Sequence, residues 1–336
     1  MSIALDATYS AGAQLTGVGV YCREILHGLA YSHPDEHFHW MYRPHRFLRS
    51  WQDTLPRNCS RRMLLDHLPS SAPLFHGLNQ RLPRWRPKRS VTTFHDLFVM
   101  TGEYSTPEFR ERFTQLARHA AANSDLIVTV SHFTATQVHD LLNVDWSRLR
   151  VVQHGVRVPA LRNTNREPIV LHVGAIQKRK NIARLIEAFR ALPQNWRLVL
   201  AGSVGYGSEE MLLGIGERVQ VTGYLTDKQL AELYRRASIF AFPSLDEGFG
   251  MPVLEAMAHG VPVIASNTSA LPEVCGDAAI LVDPTNTDQI GTELVRLATE
   301  PEVREDLIAR GVARASQFSW KAAVERTWQV YRELLV

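Results

Sequence analysis

The chain has 336 residues, 45% of them hydrophobic, which suits two ordinary domains with real cores and argues against disorder. The three cysteines, Cys22, Cys59 and Cys275, are far apart with no C-x-x-C pair, so a structural zinc is not expected and a reducing, cytoplasmic compartment is. No basic and apolar leader opens the sequence and no apolar stretch approaches the ~18–20 residues of a membrane span, so neither a signal peptide nor a transmembrane segment is expected.

The net charge of +3 is unevenly spread: 18 basic residues face 13 acidic ones over 1–160, and 19 face 21 beyond. Between Arg43 and Arg89 lie eleven basic residues and two acidic ones, interleaved with Trp51, Leu55, Leu64, Leu82 and Trp85. Such a surface reads as a site for a polyanion or an anionic membrane, and its end, Arg84, Arg86, Lys88 and Arg89, is the candidate acceptor or membrane patch. No nucleic-acid partner is expected.

Short apolar runs alternate with helical patterns along the chain, which predicts βαβ units and parallel sheets, hence an α/β fold. Ile3 to Ala7 reads as the first strand, followed by a loop from Tyr9 to Val18 and a helix carrying Val20, Tyr21, Ile25, Leu26 and Leu29. Phe38 to Tyr42, Leu74 to His76, Val91 to His95, Leu126 to Val130 and Arg150 to Gln153 read as further strands. Thr106 to Ala122 and His132 to Leu142 read as helices between them. The polar stretch 157–168, with prolines near both ends, reads as a linker. A second series follows, with strands at Ile169 to Val173, Arg197 to Ala201, Val219 to Thr222, Ile239 to Phe242, Pro262 to Ala265 and Ala278 to Val282. Ile182 to Phe189 and Asp227 to Arg236 are helical, and helices fill the chain from about Asp288 to Val336.

Four segments carry chemistry. Glu247 stands in a glycine-flanked turn (Gly248, Phe249, Gly250) after a buried strand, and Glu255 lies about one turn inside the helix that begins near Gly250, where free backbone N–H groups attract phosphate. Gly174 opens a strand-to-helix loop that ends in Arg179 and Lys180, placing fixed positive charge at a helix entry, as a diphosphate leaving group requires. Phe94-His95-Asp96 closes a strand at the edge where open α/β sheets bind ligands. Gly17 and Gly19 permit close backbone approach, but Cys22 stands where the third glycine of a dinucleotide fingerprint would be. Thr226 is positioned to cap the helix after Tyr224 and Leu225. No P-loop, H-E-x-x-H or Asp-x-Asp motif is present, and His37-Phe38-His39 lacks neighbouring ligands, so no metal is expected.

The run from Glu247 to Glu255, with seven residues between the carboxylates, resembles the E-x7-E signature of retaining family-4 glycosyltransferases. The glycine segment Thr16 to Tyr21, the His95-Asp96 pair, His154-Gly155-Val156 and the Leu171 to Ile182 segment are each similar to segments of that family, with His154 in place of an asparagine and Ala175 where some members carry arginine. The resemblance implies the GT-B fold: two Rossmann-like domains facing across a cleft, 1–160 binding the acceptor and 161–336 the nucleotide-sugar, with the last helix, about 319–336, packing back on the first. It implies catalytic roles for His95, Glu247, Arg179 and Lys180. Donor contacts would come from Gly17, Gly19, Gly174, Tyr224, Leu225, Gly248, Phe249, Gly250 and Glu255. The implied activity is metal-independent, retaining, cofactor-free transfer of mannose or a related hexose to a glycan or lipid-linked acceptor in polysaccharide or lipopolysaccharide assembly, on the inner face of the cytoplasmic membrane. GDP is the favoured donor nucleotide and UDP the alternative. A catalytically silent subunit of a polysaccharide synthase is the alternative from another class, and the intact Glu247, Glu255, Arg179 and Lys180 speak against it.

Overall fold

The computed structural model describes residues 2–12, 14–160, 166–208, 210–213 and 215–335. Residues 161–165 of the expected linker and Val336 of the expected last helix lie outside the described residues. The chain divides into two units. Unit 1 comprises Met1–Thr101, Thr106–Gly155 and Ser319–Val336, and unit 2 comprises Val156–Phe318 together with Gly102–Ser105.

In chain order, the first series is β1 (Ser2–Asp6), α1 (Gly17–Ser32), β2 (His37–Tyr42), α2 (Pro44–Phe47), β3 (Cys59–Met63), β4 (Leu74–Gly77), β5 (Ser90–Phe94), α3 (Phe98–Thr101), α4 (Pro107–Asn123), β6 (Leu126–Thr129), α5 (His132–Leu142) and β7 (Leu149–Val151). The second is β8 (Glu167–Val173), α6 (Ile182–Phe189), β9 (Arg197–Ala201), β10 (Val219–Gly223), α7 (Asp227–Arg236), β11 (Ala237–Phe242), α8 (Met251–Ala258), β12 (Val263–Ser266), α9 (Leu271–Cys275), β13 (Ile280–Val282), α10 (Thr287–Thr299) and α11 (Pro301–Ser316). The closing helix α12 (Trp320–Leu335) belongs to unit 1.

Both sheets are parallel and doubly wound. Unit 1 has the order β3-β2-β1-β4-β5-β6-β7 and unit 2 the order β10-β9-β8-β11-β12-β13. Their central strands are apolar runs because both faces are covered. In β1, Ile3 and Leu5 enter a core shared with α1 and α12, while Ala4 between them enters the opposite core, which holds alanines of α4 and α5. In unit 2, alternate residues of β8, β9 and β11 pack on α6 and α10. Strand order reverses between β1 and β4 in the first sheet and between β8 and β11 in the second. These are the switch points at which such sheets form ligand crevices.

Three local expectations are corrected. The segment read as an arginine-rich surface contains an edge strand, β3, whose Phe38–Cys59 to Tyr42–Met63 register extends the first sheet. Helix α1 begins at Gly17 rather than after a glycine loop. Neither Gly17 nor Gly19 has positive φ, and a Cβ on Gly19 would come within 2.8 Å of the Tyr9 carbonyl, so this glycine permits close packing instead of a loop. Trp85 is also not a free interfacial anchor: its Nε1–H donates to the Leu65 carbonyl at 3.0 Å and its ring packs edge-on against Phe75. No helix among the described residues is long and apolar enough to cross a membrane.

Candidate active site

The switch point of unit 2 brings two loops together. After β8, Gly174 (φ +143°) turns the chain into a short 3-10 turn, Lys178–Lys180, closed by Asn181 in the left-handed region. After β11 comes the run from Pro243 to Gly250. Asn181 Nδ2 donates to the carbonyls of Pro243 (3.0 Å) and Pro284 (2.6 Å), and the Leu245 N–H donates to the Arg179 carbonyl at 2.8 Å. These bonds fix one loop on the other.

Three ionised side chains meet there. Lys180 Nζ donates to Glu247 Oε1 at 2.5 Å, and Arg179 Nη1 reaches the same oxygen at 3.0 Å while also donating to the Asp246 carbonyl. All three residues are only 7% exposed. Burial by itself would raise the Glu247 carboxyl, but the charges of Arg179 and Lys180 outweigh it and hold the group at about 2. The backbone N–H of Glu247 donates to Ser269 Oγ at 3.1 Å, and its carbonyl accepts from the Ala270 N–H at 3.2 Å. Glu247 Oε2 makes no hydrogen bond among the described residues. The cluster thus fixes two cations in a dry place, with one carboxylate oxygen still available to a hydroxyl.

Behind it, His172 of β8 is fully buried, with its ring stacked on Phe242 at 5.3 Å and Nδ1 bonded to the Ala241 carbonyl at 2.9 Å. A carbonyl only accepts, so Nδ1 carries the proton. Burial and the nearby Lys180 hold His172 neutral, at about 4. The Lys180 ammonium sits 4.5 Å over the Phe242 ring.

Helix α8 carries the second carboxylate. Gly250 takes φ +101°, and a Cβ there would approach Leu271 Cδ2 to 2.6 Å, so only glycine makes this turn without strain. The helix start offers fewer donors than the sequence suggests, because Pro252 has no N–H and the Val253 N–H is taken by the Gly250 carbonyl at 3.0 Å. The Phe249 side chain is core, edge-on to Phe318 at 5.9 Å, which leaves only its backbone for a ligand. Glu255 Oε2 accepts from the Tyr234 hydroxyl of α7 at 2.9 Å. Although one side of Glu255 still reaches solvent, burial pushes its carboxyl up to about 7, and the Tyr234 bond opposes this only in part. The sequence reading missed Tyr234, because a tyrosine on the inner face of an amphipathic helix looks like ordinary core. Tyr224 and Leu225 lie in the loop from β10 to α7, where Thr226 and Gln229 form a capping box.

In unit 1, His95 follows β5. Its Nε2–H donates to the Leu78 carbonyl at 2.9 Å, and its ring stacks on His154 at 5.5 Å and meets Tyr21 edge-on at 4.7 Å. Burial holds it neutral, at about 4, leaving the lone pair on Nδ1. Arg84, Arg86, Lys88 and Arg89 are exposed in the loop between β4 and β5. Among the described residues no three His, Cys, Asp or Glu side chains are grouped as metal ligands.

Residues 17–158 match the family described as Glycosyltransferase Family 4, and residues 158–314 match Glycosyl transferases group 1. The chain is 34% identical over 285 residues to the O-antigen chain mannosyltransferase B of Escherichia coli, covering 78% of this chain and 74% of that one. It is 30% identical over 278 residues to the serotype-specific mannosyltransferase WbdA of Escherichia coli. That match covers 74% of this chain, which spans about a third (34%) of that longer relative. In structure it is similar to the sucrose-phosphate synthase of Thermosynechococcus elongatus, with a TM-score of 0.80 at 22% identity over 100% of this chain and 99% of the other. That likeness shows the shared two-sheet GT-B architecture.

Proposed function

The chain belongs to the family-4 glycosyltransferases, and we propose that within this family it transfers a mannosyl or related hexosyl group, with retention, from a GDP-sugar to a growing glycan of the O-antigen type. The glycan would be free or lipid-linked, and the reaction would take place at the cytoplasmic membrane face. The relatives' printed activities support the sugar and the polymer.

The observation that carries the chemistry is the buried Arg179–Lys180–Glu247 cluster at the switch point. In this reading the donor diphosphate lies against Arg179 and Lys180, which stabilise the charge that develops as the C1–O bond to phosphate breaks. The fixed cations do the work that a metal ion does elsewhere. The unbonded oxygen of Glu247 accepts from a sugar hydroxyl, and Glu255, oriented by Tyr234, accepts from the ribose. The acceptor oxygen bonds to C1 on the face the phosphate leaves, and its proton passes to the departing phosphate oxygen. His95 is held neutral and serves as a hydrogen-bond acceptor for a hydroxyl through Nδ1.

Thermal unfolding with GDP and with UDP tests the donor. A nucleotide at ~100 times its Kd adds ~2.7 kcal/mol. Stabilisation by GDP, with hydrolysis or transfer from GDP-mannose in a donor panel, is the expected result. Stabilisation by UDP alone overturns the GDP assignment, and no turnover of any donor overturns the enzymatic reading.

A further inference from the structure

We propose that the switch point of unit 1 holds a phosphate-binding subsite, formed by Arg43 and Arg81 beside Tyr9, which takes a phosphoryl group of the acceptor. The inference rests on the glycosyltransferase reading for the word acceptor, but the site itself is argued from unit 1 alone.

Strand order reverses between β1 and β4, and the chain leaves the carboxyl ends of β1, β2 and β4 at Asp6, Tyr42 and Gly77. Ligands of open α/β sheets lie outside such strand ends. The residues there are charged. Arg43, directly after β2, is only 5% exposed, and its backbone N–H donates to Thr8 Oγ1 at 3.1 Å. Its guanidinium reaches Asp66 Oδ1 through Nη1 at 3.2 Å, and Nε is 3.9 Å from Asp6 Oδ2. Nε and Nη2 are buried and make no hydrogen bond among the described residues. Asp6 is already committed to Thr8, accepting from its N–H at 3.0 Å and its hydroxyl at 2.5 Å.

Arg81 arrives from the other side, in the tight turn after β4 where its N–H donates to the Asn79 carbonyl at 2.6 Å. Its own guanidinium makes no hydrogen bond or ion pair among the described residues. Burial disfavours its charge and Arg43 adds to this, while Tyr9, Asp66 and Asp6 act in the opposite sense. Tyr9, partly exposed, holds its hydroxyl in the same place, beside the Asn79 side chain.

The buried Nε and Nη2 donors of Arg43 have no partner, which is costly, and the charge of the nearby Arg81 adds to that cost. A phosphoryl group between them satisfies both, since the guanidinium fork matches its oxygens, and the Tyr9 hydroxyl supplies a third donor. Asp6 and Asp66 flank the site and keep Arg43 fixed while it waits. Unit 2 likewise sets cations beside its own switch point, with Arg179 and Lys180 in the loop after β8. The phosphoryl group has two possible sources: the diphosphate that joins a glycan to a lipid carrier, or a phosphomonoester on a soluble sugar.

Calorimetric titration of the full chain with inorganic phosphate, at constant ionic strength, tests the site. The Arg179→Gln background removes one cation of the unit 2 cluster and keeps the Lys180–Glu247 pair. Phosphate should bind there, and adding Arg81→Gln should weaken it by roughly tenfold or more, the scale of losing a hydrogen bond to a charged group. Arg43→Lys should weaken it as well; if that chain does not fold, Arg81→Gln still decides. Arg118→Ser, on the exposed face of α4, should leave it unchanged. Phosphate affinity within twofold after Arg81→Gln overturns the proposal. A hexose 6-phosphate and a short-alkyl hexosyl diphosphate identify the source by which binds more tightly, and a neutral methyl hexoside that binds equally well overturns the phosphate assignment. No donor turnover is read, so failure here is distinct from failure of the transferase reading.

Discussion

Lys180 Nζ and Glu247 Oε1 are 2.5 Å apart, and Arg179 reaches the same oxygen, so two buried cations converge on one buried carboxylate oxygen. Such a convergence keeps both cations fixed in a buried place. This is the state expected of a site that waits for an anion and must not collapse before it arrives.

Glu247→Ala should therefore separate turnover from binding. Removing the carboxylate breaks the buried ion pairs of both cations, which should cost the unliganded chain ~3–5 kcal/mol of stability. A nucleoside diphosphate supplies negative charge to the same cations, so its affinity should hold or increase while kcat and kcat/KM fall together. Titration calorimetry and steady-state kinetics read the two effects. Near-normal kcat at saturating donor would contradict the sugar-facing role.

Arg179→Ala and Lys180→Ala should each slow transfer, and at least one should cost ~2–4 kcal/mol of barrier, the scale of removing a preorganised charge donor. Single-turnover rates measure this without interference from product release. If both variants stay within a few-fold of the parent chain, the diphosphate is held elsewhere.

Glu255 should give the unliganded chain a distinctive pH profile. Its carboxyl titrates near 7 when folded, against an ordinary value of 4.5. Between those values the folded chain keeps a proton that the unfolded chain has lost, so Glu255 costs stability as pH rises from 4.5 to 7, by ~3 kcal/mol at most at ~1.4 kcal/mol per unit. Glu255→Gln should abolish this fall and make the unliganded chain more stable at pH 8. It should also weaken nucleotide binding, whose affinity in the parent chain should strengthen as pH rises through about 7. Denaturant melts from pH 4.5 to 8 check the first part; a flat profile for the parent chain would remove its basis.

Chelation should leave activity intact if, as proposed, Arg179 and Lys180 supply the positive charge at the diphosphate. Full loss in EDTA, restored by Mg²⁺ or Mn²⁺, would contradict this assignment.

The exposed Arg84, Arg86, Lys88 and Arg89 should draw unit 1 to vesicles containing anionic lipid at low salt, each contributing ~1 kcal/mol near the surface and losing it to screening as salt rises. Changing all four to serine should weaken vesicle binding and barely alter transfer to a short soluble acceptor. Trp51, which is 65% exposed under the Arg61 guanidinium, remains as an aromatic anchor, whereas Trp85 is committed to its own domain. Binding that survives the four substitutions would remove this loop from any docking surface.

The central strands were legible because burial on both faces writes continuous apolar runs, as in Ile169 to Val173 and Ile239 to Phe242. β3 was not, because an edge strand reading Cys-Ser-Arg-Arg-Met has little apolar surface to announce it. The Glu247 and Arg179–Lys180 loops were recognisable one at a time, but their meeting on one oxygen depends on a β8–β11 pairing that joins segments 67 residues apart. Tyr234 and Arg43 were hidden for a different reason. Each looks ordinary in sequence, and each acquires meaning only from what it faces once buried.

The closing helix α12 bears on how the chain is made. It fills the core over β1 and α1: Val324 sits where a Cβ on Gly28 would lie 2.3 Å from its Cγ2, and the Tyr331 hydroxyl bonds His76 Nδ1 at 2.6 Å. Unit 1 is begun first but lacks one wall until residues beyond Phe318 have left the ribosome, by which time nearly all of unit 2 has been synthesised. The later unit is thus free to mature before the earlier one. A chain arrested or clipped near Phe318 would present an intact unit 2 attached to an open apolar face, the form most exposed to chaperones and proteases.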